Sequence, residues 1–290
     1  MARAPAKKTA KKPANKTAAK SVAKKAVSKA GAPKDPVYET CKIEREGGIT
    51  FLIMNRPEKR NAMDVEMLDA LYDVFTAMPD KNDRVIVVRG EGPSFCAGID
   101  LAERQRNPST GSESPVERVF YAMEMNPLPI VAIVQGAAIA GGCEMALHCE
   151  FVVAAETARF GMSLAQIGLA PTWFLTKKLM EVAGPVGTRE ILLLGEPMPA
   201  RWMADHGVIC RAVPEDQLNA EAQKIIDRLA ANAPLSLRAM KALIVRELAF
   251  RDGIDHADID TMVRAARGSN DAKDGIAARL EKRPPVFTGS

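Results

Sequence analysis

The stretch QGAAIAGGCEMALHCE, residues 135–150, places two adjacent glycines in front of an apolar segment and one carboxylate inside it. The β-branched run at 129–136 predicts a buried strand that delivers the chain to Gly141 and Gly142, where a helix begins. The first N–H groups of a helix have no helical partner, and glycine lets another group approach them closely. The pattern indicates half of an anion-stabilising site, with a lone carboxylate, Glu144, two residues further along the chain.

A second turn of the same design lies upstream, in GPSFCAGIDL at residues 92–101. This turn follows a buried-strand pattern at 84–90 and brings Ala97, Gly98 and Ile99 to the start of a predicted helix. Each turn also fits a simple packing role, and a glutamate in a first helical turn also fits a role as partner of the helix dipole. The pattern alone leaves both interpretations open.

Strand and helix patterns alternate along most of the chain. A turn at 46–48 between two strand-like runs predicts a β-hairpin. Apolar positions at helical spacing behind Asp64 predict an amphipathic helix at 64–78, and a further buried strand is predicted at 150–156. This alternation indicates an α/β fold.

The middle and the end of the chain carry further helix signals. Ser114 is the predicted cap of a helix, with Pro115 at its first position and Glu117 closing a capping box. From about residue 172 the pattern is mostly helical, with a brief strand at 208–213. Because long helices with mixed faces must bury their apolar stripes, we expect them to pack on the core or on another subunit.

The charge is unevenly distributed. Residues 1–34 hold ten lysines, one arginine and no acid, so this tail contributes +11 to a net charge of +4 and leaves −7 on the rest. Its Lys, Ala and Pro content predicts disorder, and its role is either that of a solvated tail or of a weak contact for a polyanion. We divide the chain into the tail (1–35), a core (36–230) and a C-terminal helical region (231–290).

Several classes of site and location are disfavoured. The sequence has neither a membrane-spanning apolar run nor a secretory signal, so we expect a soluble, cytoplasmic protein. Phosphate-loop and dinucleotide-binding glycine motifs are absent, and no metal site is predicted. Five scattered cysteines argue against disulfides and structural zinc; they are Cys41, Cys96, Cys143, Cys149 and Cys210.

Five motifs occur together, in a fixed order and spacing. They are NRPEKRNAM (55–63), FCAGIDL (95–101), GAAIAGGCEMAL (136–147), FVVAAETARFGM (151–162) and LEKRPPVF (280–287). From about residue 37 to its end, the chain resembles the crotonase superfamily, also known as the enoyl-CoA hydratase/isomerase superfamily. The resemblance implies a spiral of repeated ββα units, C-terminal trimerisation helices, a homotrimer or homohexamer, and acyl-CoA substrates with no cofactor beyond their coenzyme A.

The resemblance also implies roles for individual residues. The backbone N–H groups of Ile99 and Gly141 would hold the thioester oxygen, and Glu144 would move protons. A carboxylate in such an apolar segment is expected to have a raised pKa. Lys282 would reach a neighbouring subunit's coenzyme A. The full predicted set for substrate and coenzyme A is Lys59, Arg60, Ala97, Ile99, Asp100, Gly141, Leu164, Trp173 and Lys282.

One position departs from the pattern of the hydratases. They use a second glutamate where this chain has Leu164, and a bulky Thr-Trp-Phe at 172–174 stands near the expected acyl end. We favour an enoyl-CoA hydratase in which Glu144 works with water, and a double-bond isomerase with a single base is the alternative. Thioester hydrolysis or C–C cleavage assisted by Gln166, and a non-catalytic scaffold that binds coenzyme A, also stay open. His148, one turn after Glu144, either shares its network or is a core residue.

Overall fold

The computed structural model of the chain describes residues 37–106 and 114–290. The predicted hairpin is present: β1 (Cys41–Glu46) pairs antiparallel with β2 (Ile49–Met54). Gly48 in its turn has φ +84°, and a Cβ there would lie 2.3 Å from the carbonyl oxygen of Asn82. Both the positive φ and this close approach require glycine.

A six-stranded sheet forms the centre of the fold. Its strand order is β1, β2, β3 (Val85–Gly90), β4 (Ile130–Val134), β6 (Phe151–Ala155) and β9 (Arg211–Val213). All neighbouring pairs after β1 and β2 are parallel. Strand β4 is buried along its whole length, as its uninterrupted apolar sequence predicts for a sheet covered on both faces.

A second, three-stranded sheet stands beside the first, in the order β5-β7-β8. Its strands are β5 (Ala137–Ile139), β7 (Arg159–Gly161) and β8 (Met198–Pro199). The chain passes from β4 to β5 and then into helix α4 (Gly141–Leu147), and from β6 to β7 before the next helix. A bridge between Cys96 and Ala138 adds the preceding loop to this layer. The fold is therefore the predicted spiral of ββα units.

One of two predicted helix caps is present in the structure, and the other is not. Helix α1 (Val65–Thr76) begins as expected, because the side chain of Asp64 accepts a hydrogen bond from the Met67 N–H at 2.9 Å. Helix α2 (Leu101–Arg106) and helix α3 (Pro115–Met125) follow. The predicted capping box of α3 is wrong, because the side chain of Ser114 caps no backbone N–H.

The C-terminal part is helical, as predicted. Helix α8 packs its buried residues, among them Leu218 and Ile226, against Val85 and Val131 of the central sheet. The helices are α5 (Trp173–Val182), α6 (Gly184–Arg189), α7 (Ala200–Asp205), α8 (Leu218–Ala231), α9 (Pro234–Leu248), α10 (Ala257–Gly268) and α11 (Asn270–Glu281).

Helix α11 lies directly on the short 3-10 turn Ala165–Ile167. A Cβ on Gly275 of α11 would meet the Ile167 carbonyl oxygen at 2.5 Å, and a Cβ on Gly168 would meet Asp271 at 2.6 Å. These contacts bring the last helix to the end of the β7 segment, so α11 forms part of the wall of the pocket described below.

The predicted disordered tail, residues 1–34, lies outside the described residues, and its contact with a polyanion stays a prediction. The boundary between residues 230 and 231 also stays a prediction. Among the described helices, none combines the length and the apolar character that crossing a membrane requires.

Candidate active site

The two turns singled out in the sequence meet in the fold. Gly98 has φ +91°, and a Cβ there would lie 2.9 Å from the Ile139 carbonyl oxygen and 3.2 Å from the backbone nitrogen of Gly141. Only glycine satisfies both conditions, so the loop before α2 and the start of α4 come into contact. The sequence motifs at 95–101 and 136–147 therefore form one structural unit.

The backbone amides of Ile99 and Gly141 have no hydrogen-bond acceptor among residues 37–106 and 114–290. The amides beside them are bonded: Asp100 N–H donates to the Met63 carbonyl at 2.9 Å, and Ala140 N–H donates to the Gly161 carbonyl at 2.7 Å. The backbone on either side is thus held in place, while two donors are left for a ligand.

Arg56 braces the loop that carries Ile99. Its guanidinium donates to the Ala62 carbonyl at 2.6 Å and pairs with Asp64 and Asp100, each at 3.1 Å. The role of Arg56 gives no local signal in the sequence, because one of its partners, Asp100, is 44 positions away. Arg56 belongs to the NRPEKRNAM motif but does not line the pocket, so it supports the geometry of the site from outside the pocket.

Asp100 also belongs to this brace. Its carboxylate accepts the Glu103 N–H at 3.1 Å as well as the guanidinium of Arg56. Burial works to raise the pKa of Asp100, but the Glu103 N–H and Arg56 outweigh it and hold that pKa below its usual value. The structure thus places Asp100 in a fixed, ionised pair, whereas the sequence analysis placed it among the residues that contact substrate.

Glu144 is buried on α4, with 7% of its surface exposed. Its Oε1 atom has no hydrogen-bond partner within the described chain. Burial raises the pKa of Glu144 to about 8, the negative charge of Glu117 adds to the rise, and the positive charge of Arg267 opposes it. The raised pKa agrees with the expectation from the apolar sequence around Glu144, and it places the titration of this group close to neutral pH.

One pocket collects these groups. Of the sequence-predicted residues, those that line it are Ala97, Ile99, Gly141, Glu144 and Leu164. The pocket also takes in three charged residues that were not predicted to belong to it, Glu117 of α3, Arg267 of α10 and Arg279 of α11. Most of the remaining lining is apolar and comes from α3, β5 and the segment 162–175. An apolar cavity with a few convergent polar groups is the usual form of a small-molecule site.

Four other predicted residues do not line this pocket. Lys59, Arg60 and Lys282 are exposed. Trp173 stacks on His256 with 4.6 Å between ring centroids, while its neighbour Thr172 reaches the pocket. The part of a coenzyme A that would extend beyond the pocket, including its contacts with Lys59, Arg60 and Lys282, stays a prediction.

The profile of the enoyl-CoA hydratase/isomerase family matches residues 44–290. The chain belongs to the enoyl-CoA hydratase/isomerase family. Enoyl-CoA hydratase EchA19 of Mycobacterium tuberculosis is 32% identical over 84% of this chain and 95% of its own. The 2,3-dehydroadipyl-CoA hydratase of Escherichia coli is 30% identical over 85% of this chain and 98% of its own.

Proteins with this fold include one that carries the name of a different reaction. A crystal structure of methylmalonyl-CoA decarboxylase superposes with a TM-score of 0.80, covering 88% of this chain and 100% of the decarboxylase, at 23% identity. At this identity the match establishes the fold alone. The reaction therefore has to be argued from the site of this chain.

Leu164 is where this family member differs from the two-glutamate pattern. Its side chain is part of the pocket wall, so that wall is apolar where a carboxylate was expected. Gln166, the predicted substitute, lies outside the pocket lining, and its side-chain amide donates to the Gly195 carbonyl at 3.1 Å. The region after β7 thus supplies no acid–base side chain to the pocket.

His148 belongs to a buried network behind α4. Its ring is stacked between Phe120 and Phe174, at centroid distances of 5.2 and 5.0 Å. Its Nδ1 atom lies 3.2 Å from Glu124 Oε1 without the alignment of a hydrogen bond. Burial lowers the pKa of His148 to about 4, so the ring is neutral. Of the two interpretations of His148, the structure favours the core residue.

Proposed function

We propose that this protein is an acyl-CoA enzyme of the enoyl-CoA hydratase type, which adds water to, or removes it from, an enoyl-CoA double bond. One observation carries the proposal. The amides of Ile99 and Gly141, which find no acceptor in the described part of the chain, belong to residues that line the same pocket as Glu144, whose pKa is raised to about 8.

The two amides have a defined role in this reaction. When Cα of the substrate gains or loses a proton, negative charge develops on the thioester oxygen, and two fixed N–H donors stabilise that charge. Loss of one such donor costs about 3 kcal/mol of transition-state stabilisation in enzymes of this kind. Because the donors are main-chain groups, an isoleucine at position 99 is compatible with the role.

Glu144 is the group that exchanges a proton with the substrate. Hydration delivers a proton to Cα and the hydroxyl of water to Cβ, and a group with a pKa near the working pH serves such transfers best. The raised pKa of Glu144 meets this requirement. No metal or redox cofactor is part of the proposal, and coenzyme A enters as part of the substrate.

Isomerisation of the double bond is the second candidate, and the apolar Leu164 favours it. Moving a proton between Cα and Cγ takes a single base, whereas hydration takes two acid–base groups or one group with water. Thioester hydrolysis and C–C cleavage lose support, because Gln166 is bonded elsewhere. A scaffold without turnover leaves the buried carboxylate of Glu144 unexplained.

We further propose that the chain assembles as a homotrimer or homohexamer. Helix α9 and the segment after it expose large apolar side chains that a subunit contact would cover. They include Leu243, Ile244, Phe250 and Met262. Sedimentation analysis at several protein concentrations tests the assembly, and a monomer at all of them would contradict it.

A panel of acyl-CoA thioesters tests the function. We expect purified protein to convert crotonyl-CoA to the hydroxyacyl product, identified by mass spectrometry, and we expect Glu144→Gln to lose 100-fold or more of that rate. Including 3-enoyl-CoA in the panel separates hydration from isomerisation. Equal rates for the wild type and Glu144→Gln would remove Glu144 from the mechanism.

A further inference from the structure

Glu117 is a second carboxylate in the pocket. It lies near the start of α3 and lines the same cavity as Glu144. Its side chain is half-buried and makes no hydrogen bond or ion pair with any described residue. Because no described residue pairs with it, the Glu117 carboxylate is available to a ligand in the cavity.

The neighbours of Glu117 on α3 do have structural roles. Val116, Val119 and Phe120 are buried in the core, and the guanidinium of Arg118 lies over the Tyr72 ring at 4.1 Å. Glu117 itself does not complete a cap, because the capping box is not formed. Within the described part of the chain, the Glu117 side chain therefore lies at the pocket without a structural partner.

Helices α3 and α4 contact each other next to the pocket. Glu124, seven residues after Glu117 on α3, lies 3.2 Å from His148, the residue that ends α4. At the other side of this contact, Glu117 of α3 and Glu144 of α4 both line the pocket. The coupling of their charges, with Glu117 raising the pKa of Glu144, agrees with this arrangement.

We infer that Glu117 is the second acid–base group of this active site and supplies from α3 the carboxylate that the chain lacks at Leu164. The inference rests on the proposed hydratase function. Burial favours the protonated form of Glu144, so in this assignment Glu144 donates a proton and the carboxylate of Glu117 accepts one. Arg267 and Arg279 also line the pocket, and the positive charge of Arg267 opposes the rise in the pKa of Glu144.

During hydration, Glu117 accepts one proton and Glu144 donates one. The Glu117 carboxylate takes a proton from water as the water oxygen forms its bond to Cβ. The Cα–Cβ π electrons move into the enolate, whose charge the Ile99 and Gly141 amides stabilise, and Cα then takes the proton of Glu144. Glu117 is left protonated and Glu144 ionised. A proton passed from Glu117 to Glu144 through solvent restores the starting state.

Two reactions separate the two carboxylates. Hydration of crotonyl-CoA needs both, whereas exchange of the Cα hydrogens of butyryl-CoA with heavy water needs only the group that serves Cα. We expect Glu117→Gln to lose about 100-fold or more of hydration and to keep exchange within a few-fold of the wild type. Glu144→Gln should lose both reactions. Glu117→Asp should recover part of the hydration rate.

A matched carboxylate variant and folding measurements serve as controls. Glu44→Gln removes an exposed carboxylate on β1, outside the pocket, and should change neither reaction. Circular dichroism and thermal melting verify that each variant folds. If Glu117→Gln hydrates crotonyl-CoA at the wild-type rate, or loses exchange as completely as hydration, the role assigned to Glu117 is wrong. If wild-type protein neither hydrates nor exchanges any acyl-CoA, the proposed function itself is wrong.

A readout independent of turnover completes the test. Carboxyl NMR titration of Glu144 should show a lower pKa in Glu117→Gln than in the wild type, because a negative charge has left the pocket. An unchanged titration of Glu144 would mean that the two side chains do not share one site, and this result would overturn the inference.

Discussion

The guanidinium of Arg56 lies 3.1 Å from the carboxylate of Asp100 and ties the Ile99 loop to the segment before α1. Arg56 also pairs with Asp64 at 3.1 Å, the residue that caps α1. One side chain thus couples the start of a core helix to the position of a candidate substrate-binding amide. The function of the loop and the stability of the fold should respond together when Arg56 is changed.

Replacing Arg56 with alanine leaves two largely buried carboxylates without their partner. We expect Arg56→Ala to lower the free energy of unfolding by about 2 kcal/mol and kcat/KM by at least tenfold. Urea unfolding and steady-state kinetics measure the two effects. Arg201→Ala removes ion pairs that are exposed and should cost less than about 1 kcal/mol. Equal losses in the two variants would show that the Arg56 brace has no special role.

Gly98 offers a test of how closely the two turns must approach. Gly98→Ala places a methyl group 3.2 Å from the Gly141 nitrogen and should lower kcat by more than tenfold, since it displaces one or both amides. Gly47→Ala is the matched control, because Gly47 also has a positive φ, +59°, but lies in open space. Both variants carry backbone strain on the order of 1 kcal/mol. Similar kcat values for both would argue against the proposed donor pair.

The stability of the protein should depend on pH through Glu144. Its pKa is raised from 4.5 to about 8 in the fold, so ionisation costs the folded state more than the unfolded state. This contribution to stability is fully present below pH 4.5 and is lost as the pH rises to about 8. At pH 8, Glu144→Gln should therefore be more stable than the wild type by on the order of a few kcal/mol and should melt at a higher temperature. At pH 4, the two proteins should melt at the same temperature. A constant difference in melting temperature across this range would contradict the assignment.

The pH dependence of turnover should distinguish the two candidate reactions. As the proton donor of hydration, Glu144 must be protonated, so kcat/KM for crotonyl-CoA should fall above pH 8. As the single base of an isomerase, Glu144 must be ionised, and the rate should instead rise through the same pH. Rates measured between pH 5 and pH 9.5 decide between these profiles. A rate that is flat through pH 8 supports neither role.

Local patterns predicted most of the fold. The cap at Asp64, the hairpin at 46–48 and the buried strand β4 each depend on a few neighbouring residues, so the sequence is enough to identify them. The Ser114 and Glu117 pair was misjudged for the same reason. A serine and a glutamate at this spacing satisfy a capping box, and only the packing of α3 beside α4 sends Glu117 to the pocket instead.

The site was predictable where it depends on a motif and not where it depends on distant contacts. The two turns, Glu144 and the missing carboxylate at Leu164 follow from the sequence. Arg267 and Arg279 line the pocket, and Arg56 supports it from outside. The sequence gives no local signal for these positions, because they result from contacts between segments that are far apart in the chain. Trp173 was predicted to contact substrate, but it stacks on His256 and does not line the pocket. The segment around Trp173 gives no sign of this distant partner.

The packing of α11 against the turn Ala165–Ile167 sets an order of events during synthesis. Arg279 closes one side of the cavity, and Gly275 fits against the backbone of Ile167. A nascent chain that has emerged only as far as α10 therefore carries Glu144 and both turns in an unfinished cavity. Residues 270–281 must therefore leave the ribosome before this wall of the cavity can form, so substrate capture begins only after α11 has emerged.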